Sequence, residues 1–421
     1  MEDLEKYKTS RFLYILEAAF EYFISLLVGG AYLAKVTYAI GISDSITGVL
    51  NSFVSLGFCF QLFAIFLANK RPVKCWVTIL HSINQLAFAL IYLVPFIKIT
   101  KTQKTILFIC FLLLGHIVNN IVNSHKLNWF MSLVDDKKRG SFTANKEIIS
   151  LLGGMIFSFL MGCVIDYFEE IGNINGAFIV CGISVFVLAV LHTGTLIFSK
   201  ERNFEEEQVP IKDLLKEILK DKNLFKLYVL AMLWSIANSI TTPFYGTYQI
   251  KELGFSMTFV SILSIAYSIA RVIFSRPLGK FADKYSFSKM LNICFVIMFV
   301  GFSINIFTTP ANGKILYTIY YVFYAIGMAG INNGEMNLIY DYANEKKRVV
   351  ALALKSTFAG VSGFLTALLG GLLVDIIQKN GNVFLGINLY AQQVVSAIGA
   401  LVVLLTLLYL NTVVKNLKKE N

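Results

Sequence analysis

Gly279-Lys280-Phe281-Ala282-Asp283-Lys284-Tyr285-Ser286-Phe287-Ser288-Lys289 is a short charged run set between two long apolar segments. A glycine, an aspartate four residues on and a basic cluster read as a brief polar loop. The flanking segments are each long enough to cross a bilayer, which takes about 20 apolar residues. The loop therefore joins two membrane spans.

Runs of that length recur from end to end. The 421 residues are 56% hydrophobic and 15% charged, with a mean hydropathy of +0.67. A soluble core does not hide that much apolar surface. Twelve spans are expected, at 12–36, 45–68, 75–97, 104–127, 146–168, 174–198, 223–250, 257–278, 288–308, 314–340, 350–377 and 384–412. The runs are continuous rather than alternating, so the spans are helices, which satisfy their own backbone groups in lipid. The fold class is an all-α membrane protein.

A net charge of +11 invites a nucleic-acid reading. Its distribution argues against one. With the N-terminus cytoplasmic, external segments hold only Lys35, Lys98, Lys101, Lys104, Lys251, Lys314 and Lys379 of the 37 Lys and Arg, and Arg271 lies inside a span. That is the positive-inside bias, broken locally at Lys98 to Lys104. Both termini are expected in the cytoplasm and the chain in the cell membrane. Met1 to Arg11 is polar, and the first apolar run is too long for a signal-peptide core. Cys59, Cys75, Cys110, Cys163, Cys181 and Cys294 are scattered singly, with no metal or disulfide spacing.

The polar stretch Ser199 to Asn223 divides the chain six spans against six. It holds Glu205-Glu206-Glu207 and an amphipathic run, Ile211 to Leu224, suited to a helix lying along the membrane surface. The expected organisation is a first bundle over 1–198, a central cytoplasmic loop over 199–222 and a second bundle over 223–421. The halves repeat. At a shift of 209, Asn123, Asn128, Lys146, Gly154, Gly162 and Asp166 fall on Asn332, Asn337, Lys355, Gly363, Gly371 and Asp375. At 213, Tyr32, Gly41 and Ser43 fall on Tyr245, Gly254 and Ser256. Internal duplication is common among secondary transporters.

The span count, the repeat, the long central loop and the Gly279–Lys289 run together resemble the major facilitator superfamily. Asn128-Trp129-Phe130-Met131-Ser132-Leu133-Val134, followed by Lys138-Arg139-Gly140-Ser141-Phe142, is similar to a bacterial branch of it. The resemblance covers the whole chain. It implies two pseudo-symmetric six-helix bundles and transport by alternating access. The first-half counterpart of the loop departs from the family pattern: Asn69 stands where the family usually carries an acid.

Several residues could carry the chemistry. Asp283 can accept backbone hydrogen bonds at a neighbouring helix N-terminus, and Lys284 and Lys289 can pair with acids or lipid phosphates; such contacts would latch the cytoplasmic side, the alternative being a solvated charged turn that only sets topology. Glu17 and Glu21 lie one helical turn apart on the first span. Ionisable groups in lipid default to function, so both are candidates for proton coupling. Glu17 could equally be wetted or paired with Arg11. Polar stripes follow helical spacing in three spans: His116, Asn119, Asn120 and Asn123; Trp234, Asn238, Thr241, Tyr245 and Gln249; Tyr317, Tyr320, Tyr324, Asn332 and Glu335. The resemblance implies that these spans line a central cavity, and amides, phenols and an indole suit a polar or ring-bearing solute. The alternative is polar glue between helices. Arg271 needs a partner, and Glu335 is nearest by depth. His81 and His192 read as packing residues.

No P-loop, nucleophile arrangement or metal-ligand spacing is present, so neither an enzyme nor an ATP-driven pump is expected. The leading expectation is a proton- or ion-coupled carrier of a small polar or amphipathic solute, monomeric, with membrane lipids and its substrate as partners and no cofactor beyond the ion gradient. A lipid flippase or lipid carrier on the same fold is the alternative, and a transport-dead ligand sensor is a third.

Overall fold

The computed structural model describes residues 4–66, 72–135, 139–202 and 211–417. Asn69, Lys138 and the Glu205–Glu207 run lie outside the described residues. The helices are α1 (Lys8–Leu27), α2 (Gly30–Ala39), α3 (Asp44–Asn51), α4 (Phe53–Cys59), α5 (Gln61–Phe66), α6 (Val73–Leu90), α7 (Lys101–Met131), α8 (Arg139–Glu170), α9 (Ile174–Phe198), α10 (Ile211–Lys220), α11 (Lys222–Ser239), α12 (Tyr245–Thr247), α13 (Met257–Lys284), α14 (Phe287–Asn305), α15 (Gly313–Tyr342), α16 (Glu345–Lys379) and α17 (Ala391–Tyr409).

Among the described residues, ten helical segments are long and apolar enough to cross a membrane. An eleventh is the bent pair α1 and α2, which meet at 44°. The expected straight span 12–36 is thus broken, at Gly29-Gly30, where Gly30 adopts φ 55°. The remaining helix of the twelve is α6, whose 18 residues include Lys74, His81, Asn84 and Gln85. Large apolar side chains such as Phe198, Ile156 and Leu369 stand exposed, as lipid-facing residues do.

Other boundaries also differ from expectation. The second span is interrupted at Ser52 and Phe60. The seventh leaves regular α-helix after Ser239, because Pro243 has no backbone N–H to continue the ladder. Residues 384–390 are not helical. Strands β1 (Val383–Phe384) and β2 (Ile387–Asn388) pair antiparallel there, turning through Leu385 and Gly386, both at positive φ. The amphipathic run ends at Lys220, where Asp221 accepts from the N–H groups of Asn223 and Leu224 and starts α11.

Contacts divide the chain into two units that cross its sequence halves. One comprises Met1–Ile42, Phe63–Val209 and Ser256–Ser261; the other comprises Ser43–Leu62, Pro210–Phe255 and Ile262–Asn421. In the first, α1 packs on α8 and α9, and α6 on α7 and α9. Tyr14 stacks on Phe130 at 4.3 Å between ring centroids, in a core with Val77, Trp129 and Leu196. The Asp166 carboxylate accepts from the N–H groups of Met257 and Thr258, both at 2.7 Å, so a residue of α8 caps the start of α13. In the second unit, α11 packs on α16 and α17, and α14 on α15 and α17, while α16 also meets α3 and α4. Asp44 there accepts from Lys251 and, at 2.8 Å, from Gln378.

The repeat read from sequence reappears as conformation. Gly41 and Gly254 both have positive φ, 75° and 64°. Two residues on, Ser43 and Ser256 both turn a hydroxyl onto a helix N-terminus, accepting from Ile46 and Phe259. Gly154 and Gly363 are both sites of close approach. A Cβ on Gly154 would lie 2.3 Å from the Tyr22 ring of α1, and one on Gly363 would lie 2.5 Å from Ser235 Oγ of α11. In each case the fifth helix of a half presses on the first, as small residues permit in membranes.

Candidate functional site

A charged cluster lies buried in the first unit. Glu17 (α1) and Lys126 (α7) are 0% and 2% exposed. Lys126 Nζ stands 2.7 Å from Glu17 Oε1 and also contacts Glu21 Oε2. His192 Nε2, from α9, lies 2.8 Å from the same Glu17 oxygen. The His81 ring, from α6, stands 4.8 Å from the His192 ring, centroid to centroid. Charges removed from water are costly and persist only when paired and hydrogen-bonded. Here one ammonium serves two carboxylates, and the helical spacing of Glu17 and Glu21 makes that possible.

Sequence reasoning finds the two glutamates and misses what holds them. By sequence Lys126 belongs with the basic residues at a cytoplasmic span end, yet α7 continues to Met131 and buries it. The signal available is the apolar stretch Trp129-Phe130-Met131 beyond it, which lets the helix run on past Lys126. Arg11, the alternative partner for Glu17, donates instead to Leu133 O at 3.1 Å. His192 is not merely a packing residue, since it contacts Glu17. His81 is fully buried beside it, and among the described residues neither of its nitrogens has a partner in hydrogen-bond geometry.

An aromatic cluster occupies the second unit. Tyr245, Tyr317, Tyr320 and Tyr324 lie with neighbouring ring centroids 5.2 to 6.2 Å apart, and Tyr267 and Tyr321 extend the group. Three of the hydroxyls are paired: Tyr324 Oη donates to Asn238 Oδ1 at 2.8 Å, Gln249 Nε2 donates to Tyr317 Oη at 2.6 Å, and the Tyr245 hydroxyl meets Ser396 Oγ at 2.7 Å. Tyr317, Tyr320 and Tyr245 are buried against their neighbours; Tyr267, Tyr321, Tyr324 and Asn238 are partly exposed. Arg271 lies over the Tyr267 ring, 5.7 Å from its centroid. Its i, i+4 spacing from Tyr267 on α13 could have shown this.

Arg271 and Glu335 are not partners. Glu335 Oε2 is 2.7 Å from Lys355 Nζ on α16. Under the 209-residue shift Glu335 is the counterpart of Lys126. The same position in the two halves thus holds opposite charges, each paired inside its own unit.

The other candidates are dispersed. Trp234 is buried against Phe295, and Thr241 bonds the Ala237 carbonyl of its own helix at 3.1 Å. In the first unit His116 packs on Phe88, Asn120 donates to the His116 carbonyl at 2.9 Å, and Asn119 Oδ1 is buried with no partner among the described residues. Asn123 and Asn332 are exposed. Asp283 is exposed at the end of α13. It lines a cavity of about 960 Å³ with Asp341, Lys289 and Lys415. The α14 N-terminus is capped by Ser286, which accepts from Lys289 N–H at 3.2 Å, rather than by Asp283. The side chains of Lys284 and Lys289 lie 5.3 and 5.5 Å from the Tyr285 ring.

The family model described as Major Facilitator Superfamily matches residues 12–257 and again 227–421. No curated protein sequence matches the chain. Among solved structures, a point mutant of the nucleoside transporter NupG superposes with a TM-score of 0.75 at 12% identity, covering 96% of this chain and 99% of that one. A bacterial homologue of the iron transporter ferroportin in an inward-facing state gives 0.70 at 14% identity over 98% and 99%. A D-xylose–proton symporter gives 0.68 at 14% identity over 94% and 96%. At these identities the likeness is one of fold.

Proposed function

Because this chain belongs to the Major Facilitator Superfamily and is an integral multi-pass membrane protein, we propose that it is a proton-coupled secondary active carrier of a small polar, ring-bearing solute. Alternating access is its mode of action, with both termini at the cytoplasmic face of the cell membrane. The observation that carries the reading is the ion pair of Lys126 with Glu17 and Glu21. A charge cluster inside apolar helices is expensive, and a carrier uses such a cluster to bind its driving ion. Protonation of Glu21, the partly exposed member, would free Lys126 from one of its two carboxylates. Proton and solute would then bias one conformational equilibrium, which is coupling in the thermodynamic sense.

The aromatic group of the second unit supports the solute class. Tyr267, Tyr321 and Tyr324 offer partly exposed ring faces, and Asn238 and Arg271 offer polar groups beside them. Flat or pyranose-like rings stack on such faces, and amide and guanidinium groups bind hydroxyls and ring heteroatoms. Nucleosides and monosaccharides, the solutes named for NupG and the xylose symporter, are the first to try. The test is a thermal-shift panel of nucleosides, pentoses and hexoses on purified protein, since a ligand raises apparent stability by mass action. Uptake of any hit into proteoliposomes with and without an imposed pH gradient follows. Uptake indifferent to the gradient would remove proton coupling, and no hit in the panel would remove the solute class.

A further inference from the structure

The charged cluster holds more donor atoms than its ion pairs use. One ligand atom from each of Glu17, Glu21, His81 and His192 can be chosen so that all four lie within 4.8 Å of one another. Glu17, His81 and His192 are fully buried. Among the described residues, Glu17 Oε2, His192 Nδ1 and both nitrogens of His81 have no partner in hydrogen-bond geometry. Buried polar atoms seldom remain unsatisfied unless something else meets them.

We propose that this cluster binds one divalent transition-metal ion, of the zinc, cobalt or nickel class, in the place the Lys126 ammonium holds. Two carboxylates and two imidazoles are a borderline donor set, which favours these ions over magnesium or calcium. Metal–ligand distances of about 2.0–2.2 Å put tetrahedral donors roughly 3.4 Å apart. The widest pair of donor atoms, within 4.8 Å now, therefore needs to close by at most about 1.4 Å. Charge fits as well: two carboxylates neutralise a dication, and Lys126, a tethered monovalent cation, has to leave. The ligands come from α1, α6 and α9, so no linear motif announces them. Glu21 is the partly exposed member, its side chain 22% accessible, and forms the way in. This deepens the carrier reading, on which it rests, by naming a second cation for the same seat.

The test uses untagged, full-length protein in detergent with its thiols alkylated, titrated with Co²⁺ by visible absorption and with Zn²⁺ by calorimetry. One metal per chain is expected, with the absorption of a nitrogen- and oxygen-ligated site. Affinity should fall at least ~100-fold in the His81→Leu/His192→Leu double variant. It should rise in Lys126→Met, which lacks the competing ammonium. The Glu21→Gln variant, which keeps the buried Lys126–Glu17 pair, decides the matter should either of these fail to fold: its affinity should fall at least ~10-fold, and undiminished affinity there would overturn the proposal. Absence of binding in both wild type and Lys126→Met would overturn the proposal. So would Lys126→Met binding no tighter than wild type, or undiminished binding in a folded histidine variant. Uptake driven by a pH gradient without metal binding would overturn this site and leave the carrier. Metal binding without such uptake would support the site and remove proton coupling from the carrier reading.

Discussion

Lys126 and His192 address the same oxygen of Glu17, at 2.7 and 2.8 Å, and the other oxygen of that carboxylate has no partner among the described residues. All three residues are buried and come from α7, α9 and α1. The arrangement ties the first, fourth and sixth helices of the first half through one atom.

Lys126→Met should be among the most destabilising single changes in the first unit. It leaves Glu17 buried without its cation, a loss of about 3–5 kcal/mol. Adding Glu17→Gln should recover much of that, because two neutral groups cost less than one orphaned charge. Thermal unfolding of the single and double variants in detergent measures the difference. Equal melting temperatures would show that the pair is energetically idle.

Glu21→Gln should uncouple uptake from the pH gradient while solute exchange at equal concentrations persists. Glutamine keeps the hydrogen-bonding reach of the side chain and removes its exchangeable charge. Proteoliposomes assayed for gradient-driven uptake and for counterflow separate the two quantities. Full gradient-driven uptake in this variant would take Glu21 out of the mechanism.

Lys355→Met should be worse than Lys355→Met combined with Glu335→Gln. Glu335 is 7% exposed, and Lys355 is its ion-pair partner. Replacing Arg271, which lies on an aromatic face, should leave the stability effect of the Glu335→Gln change additive, within about 0.5 kcal/mol. A thermal-melt cycle over the three positions checks both statements.

Gly154→Ala and Gly363→Ala should each cost about 1–3 kcal/mol, the usual penalty for overpacking. Their added methyl groups would strike Tyr22 and Ser235 at distances no carbon tolerates. Gly194→Ala is the control, since a Cβ there meets nothing within 4 Å. Similar melting temperatures for all three would show that the helices shift apart easily.

Much of the architecture is legible in the chain because it depends on local physics. Apolar length gives the spans, and the repeat gives the pairing of Gly41 with Gly254 and of Gly154 with Gly363. Local physics also misleads. Phe384-Leu385 reads as the start of a span, but the turn at Leu385-Gly386 folds it into a hairpin. The first span reads as continuous because Gly29-Gly30 interrupts hydropathy hardly at all. The candidate site is half legible. Glu17 and Glu21 show themselves by helical spacing, whereas Lys126, His81 and His192 reach them across three other helices. Glu335 is matched to the wrong partner because depth in the membrane fixes only one coordinate, and Lys355 lies nearer in the other two.

The β1–β2 hairpin has a practical consequence. Leu385 at its tip is 86% exposed, and the backbone around it makes turn contacts rather than helix contacts. A cysteine placed at 385 would be a handle outside the helical scaffold, and a membrane-impermeant maleimide would reach it in intact cells from one side only. Labelling there would fix which face of the bilayer the Lys379 end of α16 occupies. With that one point, the alternation of the helices assigns a side to every loop in the chain.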